Sequence, residues 1–390
     1  MINRDIPKIR FYSYQGAWVE NRIADVVKIS AGGDVDKVRL KESGKYPVIA
    51  NALTNKGIVG FYDDYKVKAP AVTVTGRGDV GYAVARHENF TPIVRLLTLQ
   101  SEDIDVDYLE NQINSMRILN ESTGVPQLTA PQLGNYKVYH PEIEEQSAIG
   151  SLFRTLDDLL SSYKDNLANY QSLKETMLSK MFPKAGQSVP EIRLDGFEGE
   201  WKEVQLSDIC KKVIEKNKDN DFNETFTNSA EFGIINQRDF FDRDISNEKS
   251  LNTYYVVRNN DFVYNPRISN YAPVGPVKRN KLGRTGVMSP LYFVFRVVNS
   301  NIDLDFLETF FDTNIWHKFM KLNGDSGARA DRFAIKDSIF LKMPIVFPSI
   351  TEQQAIGAYF SNLDNLINSH QEKISQLETL KKKLLQDMFI

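Results

Sequence analysis

Apolar side chains fall three and four residues apart from Ile149 through Leu152, Leu156, Leu159, Tyr163, Leu167, Tyr170, Leu173 and Met177 to Met181, with polar residues between them. That spacing predicts one long helix carrying a single apolar seam. The alternation returns at Ile356, Tyr359, Leu363, Leu366, His370, Ile374, Leu377, Leu380, Leu384 and Met388. Glycine and proline are absent from Ser151 to Phe182 and from Ala358 onward, so nothing interrupts either helix. At a rise of about 1.5 Å per residue each reaches about 55 Å. Pro141 and Pro348 stand just ahead of acidic first turns, Glu142, Glu144 and Glu145 in one and Glu352 in the other, which suit the positive end of a helix dipole. Two such stripes would expose too much apolar surface unless they cover each other, which predicts an antiparallel pair within the chain. A coiled coil between two chains is the alternative the seam leaves open.

Between the helices the pattern shortens to that of strands. Val67–Thr75 and Pro92–Leu99 read as strands and Tyr108–Leu119 as a helix; later, Tyr254–Val257, Asp261–Tyr264 and Leu291–Val298 read as strands and Leu304–Lys321 as a helix. The expected fold is α+β with internal duplication: globular domains over residues 1–142 and 184–349, and repeated helices over 143–183 and 350–390. Segments recur in order. Pro141–Gly150 (PEIEEQSAIG) returns as Pro348–Gly357 (PSITEQQAIG), and the register holds without a gap to Met181-Phe182 and Met388-Phe389. Pro7–Arg10 with Gly16-Ala17-Trp18 returns as Pro190–Arg193 with Gly199-Glu200-Trp201, and Ile104–Glu110 as Ile302–Glu308. A chain built as variable block, helix, variable block, helix is laid out to touch two things at a set separation.

A length of 390 residues is enough for two cores. No stretch approaches the roughly 18 uninterrupted apolar residues of a membrane span, and the opening residues form no apolar signal segment, so a cytoplasmic protein is expected. The single cysteine, Cys210, stands where the first repeat has Val27 and reads as a small core residue. The four histidines show no metal-ligand spacing. A net charge of −3 does not suggest nucleic acid, yet Phe262–Ile302 contains no Asp or Glu while holding Arg267, Lys278, Arg279, Lys281, Arg284 and Arg296. A local electropositive surface is expected there, and clustering matters more than the sum for binding phosphates.

Catalytic motifs are missing. Gly76–Gly81 fits G-x-G-x-x-G after a strand, but a second strand follows where a dinucleotide site needs a helix, so a tight hairpin turn is expected. There is no P-loop sequence, and Asn265-Pro266-Arg267-Ile268 lacks the second proline and the aromatic of an amino-methyltransferase pocket. What remains are loops suited to reading a surface. Thr75, Arg77 and Asp79 sit on one, Thr123 and Gln127 on another; their counterparts are Arg267, Ser269, Asn270 and Tyr271, then Ser326, Arg329 and Arg332. Arg, Asn and Gln can pair with base edges in the major groove, whereas Ser, Thr and Lys anchor phosphates, a role also expected of Lys278, Arg279 and Arg284.

The Pro-x-Ile-x-Glu-Gln-x-Ala-Ile-Gly lead into each helix, with Pro190–Trp201 (PEIRLDGFEGEW), resembles the specificity subunit of Type I restriction-modification enzymes along the whole chain. At the first opening Phe11–Gln15 replaces the Leu194–Glu198 sequence, a departure from that pattern. The resemblance implies two target-recognition domains, each reading half of a bipartite DNA site, and two antiparallel helices that set the spacing and dock methyltransferase subunits, two of them, with restriction subunits joining the complex. It implies no catalytic residue and no cofactor in this chain; S-adenosylmethionine, ATP and magnesium would belong to those partners. A non-catalytic scaffold binding proteins or glycans is the rival from another class.

Overall fold

The computed structural model describes residues 6–116, 118, 127–240, 248–325 and 331–389. The chain forms two compact units, residues 1–166 with 370–390, and residues 167–369. Each long helix therefore contributes to both units and is not a separate body.

In the first unit β1 (Lys28–Ala31), β2 (Ala71–Val74), β3 (Ala83–Arg86) and β4 (Leu97–Gln100) form an antiparallel sheet in the order β1-β4-β2-β3. The expected hairpin joins β2 to β3. The expected strand over Pro92–Leu99 is broken, because Val94 and Arg95 turn through positive φ ahead of β4. Helix α1 (Val106–Ser115) follows, capped by Asp105, whose carboxylate accepts the Tyr108 N–H at 2.9 Å. A ribbon of Val19–Arg22 against Lys137–His140 closes the module, and the first long helix, α2 (Ile143–Lys180), leaves it.

The second unit repeats this plan. β5 (Cys210–Lys212), β6 (Phe262–Tyr264), β7 (Val277–Arg279) and β8 (Phe293–Val297) lie in the order β5-β8-β6-β7, the same topology as the first sheet. Helix α3 (Leu304–Asp312) is capped by Asp303 as α1 is by Asp105. The single helix expected to Lys321 divides at Thr313, whose hydroxyl bonds back to the Phe310 carbonyl at 2.7 Å, and a separate helix runs over His317–Asn323. Lys202–Gln205 pairs with Pro344–Phe347 ahead of the second long helix, α4 (Ile350–Asp387).

The repeated lead into α2 and α4 has a physical reason at nearly every position. Glu145 accepts two hydrogen bonds from the Arg10 guanidinium, 2.7 and 2.6 Å, and Glu352 accepts two from Arg193, both 2.7 Å. Both glutamates are buried. Each arginine also donates to a loop carbonyl, Gly16 in one module and Gly199 in the other. Gln146 accepts the Asp105 N–H at 3.0 Å and donates to the Pro141 carbonyl; Gln353 does the same with Asp303 and Pro348. A Cβ on Gly150 would stand 2.6 Å from the Asp105 carboxylate, and one on Gly357 would stand 2.8 Å from the Asp305 Cβ, so the helices approach the caps of α1 and α3 as closely as glycine permits.

The cores are completed crosswise. In the first unit Trp18, Tyr108 and Phe153 surround Met388 and Phe389 from the end of α4, with the Phe389 ring 5.4 Å from Tyr108 and 5.7 Å from Phe153. In the second, Trp201, Phe306 and Phe360 surround Met181 and Phe182 from the end of α2, with Phe182 stacked on Phe306 at 5.5 Å. The two helices run antiparallel, as expected: Asp157 pairs with Lys381 and Lys164 with Glu378 in the first unit, Lys174 with Asp364 in the second. Asp157–Lys381 and Asp364–Lys174 are the same pair in repeat numbering. The buried stripe differs in part from the expected seam, running through Ile149, Phe153, Leu156 and Leu160, then Ile356, Phe360, Leu363 and Ile367. The first turns face the globular modules as well as the partner helix, which brings in a second line of apolar positions.

Candidate nucleic-acid interface

The loops nominated separately by sequence come together in each module. After β2 the chain turns at Gly76–Gly81, and the Thr75 hydroxyl holds the turn by donating to the Asp79 carbonyl and accepting the Tyr82 N–H. Gly76 is held by the Asn51 side chain, which accepts its N–H at 2.7 Å, and its carbonyl accepts the Leu128 N–H at 2.9 Å. Arg77 thereby bridges to Gln127. Arg77 and Asp79 are exposed at the tip, whereas Thr75 is buried and used up in the turn.

The second module does the same after β6. Asn265 accepts the Arg267 N–H at 3.0 Å, Arg267 bridges to Arg332, and the Ile268 and Phe333 N–H groups bond the carbonyls of Asp331 and Pro266 at 3.0 and 2.8 Å. A tight turn between Ser269 and Ala272 presents Asn270 and Tyr271, the latter 84% exposed. Thr123, Ser326 and Arg329 lie outside the described residues. Each module thus displays an arginine-bearing loop stitched to the chain segment that precedes its closing ribbon.

The electropositive surface expected over Phe262–Ile302 does not form as expected. Its cations meet carboxylates from elsewhere in the fold: Lys278 pairs with Asp312 at 2.7 Å, buried Arg279 with Glu308 at 2.9 Å and with Asp305, Lys281 with Glu308, Arg284 with Glu224 at 2.7 Å, and Arg296 with Asp261. Lys278, Arg279 and Arg284 are therefore each engaged with a carboxylate of the fold, Arg279 buried and Arg284 about half exposed. Among the described residues no carboxylate pairs with Arg267 or Arg77 within salt-bridge distance. Arg332 lies 3.9 Å from its neighbour Asp331.

Elsewhere, burial pushes the Cys210 thiol up to about 12, in keeping with a core residue. Burial, and after it the charge of Asp157, pushes Glu110 up to about 7. The hydrogen-bonded carboxylate of Glu145 keeps the Arg10 guanidinium charged above its ordinary range. Among the described residues no cluster of His, Cys, Asp and Glu could hold a metal, and no helix is long and apolar enough to cross a membrane.

Two modules of one topology, each presenting a polar loop and each bound to a repeated helix, define an internally duplicated protein. The model of the Type I restriction modification DNA specificity domain matches residues 15–169 and again 198–379, and the chain belongs to that family. A putative type I specificity subunit from Mycoplasma pneumoniae is 26% identical over 164 residues, 41% of this chain and 44% of that protein. The Type I restriction enzyme MjaVIII specificity subunit from Methanocaldococcus jannaschii is 23% identical over 278 residues, 68% of this chain and 64% of that one. These alignments span less than two thirds of either relative's length. The crystal structure of the Type-I restriction-modification system S subunit from M. genitalium shares the fold, with a TM-score of 0.66 at 15% identity over 99% of both chains.

Proposed function

We propose that this chain is the non-catalytic, DNA-reading specificity subunit of a Type I restriction-modification complex in the cytoplasm. Each module, taken as residues 1–142 and 184–349, reads one half of a bipartite site. The observation that carries this reading is the double match to the specificity-domain family, supported by the equivalent exposed loops at Arg77 and Arg267. Methyltransferase and restriction subunits would supply the catalytic groups, and S-adenosylmethionine, ATP and magnesium would bind to them. The test is to assemble the chain with its methyltransferase partner and map methylation. A two-part adenine-methylated sequence is expected, and exchanging residues 1–142 for a relative's block should alter one half only. Methyl transfer by the purified chain by itself, or changes in both halves after the exchange, would overturn the reading.

The repeated helices offer two equivalent docking places. Leu159 and Leu173 are 42% and 36% exposed, and their repeat partners Leu366 and Leu380 are 41% and 44% exposed. Leucines left partly exposed at matching positions of both helices suit two copies of one partner. Leu159→Asp is expected to weaken one docking place and Leu366→Asp the other. Native mass spectrometry should then count one bound methyltransferase where the parent chain binds two; two retained in both variants would exclude these leucines from the contact.

A further inference from the structure

Beside the Arg267–Tyr271 loop the second module has a concavity of about 460 Å³, lined by Asn228, Gln237, Tyr254, Asn265, Tyr271 and Tyr292 among others. Asn228 is 2% exposed. Its amide nitrogen donates to the carbonyls of Val263 and Pro276 at 2.7 and 3.3 Å, which sets the orientation of the group and leaves Oδ1 as the other atom. That oxygen has no hydrogen-bond partner among the described residues, and neither has the buried Gln237 Oε1 in the same lining. Two neighbouring polar side chains are already engaged. Asn265 accepts from the Arg267 N–H and donates to the Asn228 carbonyl, and the Tyr292 hydroxyl lies 3.1 Å from that of Thr227. A buried acceptor left unpaired is costly, so a ligand bringing an N–H group recovers that cost.

Two unpartnered buried acceptors, on residues that line one concavity together with Tyr254, Tyr271 and Tyr292, suit a flat heterocycle with an amino group. We infer that this concavity is the subsite for one amine-bearing nucleobase of the half-site read by the second module, with Asn228 and Gln237 accepting from its amino hydrogens. Adenine, cytosine and guanine carry such an amine and thymine does not, so the subsite selects against thymine. The inference rests on the module reading DNA.

Base analogues test it without disturbing the fold. The chain, assembled with its methyltransferase partner, is titrated with duplexes carrying the mapped site. In these each adenine, guanine or cytosine of the second half-site is replaced in turn by purine, hypoxanthine or 2-pyrimidinone, which lack the amine. At one position the affinity is expected to fall about five- to hundredfold. In Gln237→Leu the penalty at that position should shrink while penalties elsewhere stay. A penalty that Gln237→Leu leaves unchanged, or no sensitive position at all, as when an ordered water satisfies the oxygens, overturns the inference and leaves the DNA-reading function standing. A complex that prefers no sequence overturns both.

Discussion

A chain ending at residue 184 is expected to form a dimer. It keeps the first module and α2 but lacks residues 370–390, which belong to the first unit. Without Met388 and Phe389 the core around Trp18, Tyr108 and Phe153 is open, and the face of α2 that α4 covers lies in water. The same chain carries the missing piece. Met181-Phe182 ends α2 as Met388-Phe389 ends α4, and the residues each pair meets are repeats: Tyr108 and Phe306, Trp18 and Trp201, Phe153 and Phe360. Two truncated chains can therefore exchange helix ends, each α2 filling the other's open core in an isologous contact. Burying a phenylalanine in such a cluster is worth about 3–5 kcal/mol by comparison with alanine, and the dimer gains it twice. Sedimentation equilibrium should report the dimer, and Phe182→Ala should shift it toward monomer. Methylation directed by the dimer should fall on an inverted repeat of the first half-site. A folded monomer at micromolar concentration would show that the cores do not need the exchanged ends.

Removing Arg10 or Arg193 is expected to cost its unit about 3–5 kcal/mol, the range for leaving one member of a buried pair unpaired. The carboxylates they meet are the reason. Glu145 and Glu352 have side chains only 2% exposed, and each is held by two guanidinium hydrogen bonds. With alanine in place of the arginine, the glutamate must stay charged without a partner or take up a proton. Urea unfolding should show an early transition for the affected unit. Arg22→Ala provides the contrast, because its pair with Asp25 lies open to solvent and screening removes most of its value. Similar midpoints for Arg193→Ala and Arg22→Ala would mean that the repeated arginine and glutamate do not lock the helix to the module.

Both expectations use information that was visible in the sequence without its meaning being visible. Arg10 and Arg193 lie in one repeated segment and Glu145 and Glu352 in another, far apart along the chain, and repetition by itself does not say that they touch. The α+β class, the duplication, the two helix spans and the turn at Gly76–Gly81 were legible because they rest on local signals: periodicity, breakers and caps. The helix expected over Leu304–Lys321 was too long because the Thr313 hydroxyl competes for a backbone carbonyl within an otherwise helical pattern.

Charge was the least local property and the least legible. Nothing within Phe262–Ile302 discloses that Asp312, Glu308, Asp305, Glu224 and Asp261 will neutralise its cations, since those partners lie outside the segment or just before it. By itself, the sequence determined that the chain is built twice, with helices of set length and exposed arginines in matching loops. Only the tertiary structure decided which cations stay free, which loop meets which, and that each module's core is finished by the helix belonging to the other repeat. Those outcomes depend on side chains brought together across long stretches of chain, where no periodicity connects them and only packing does.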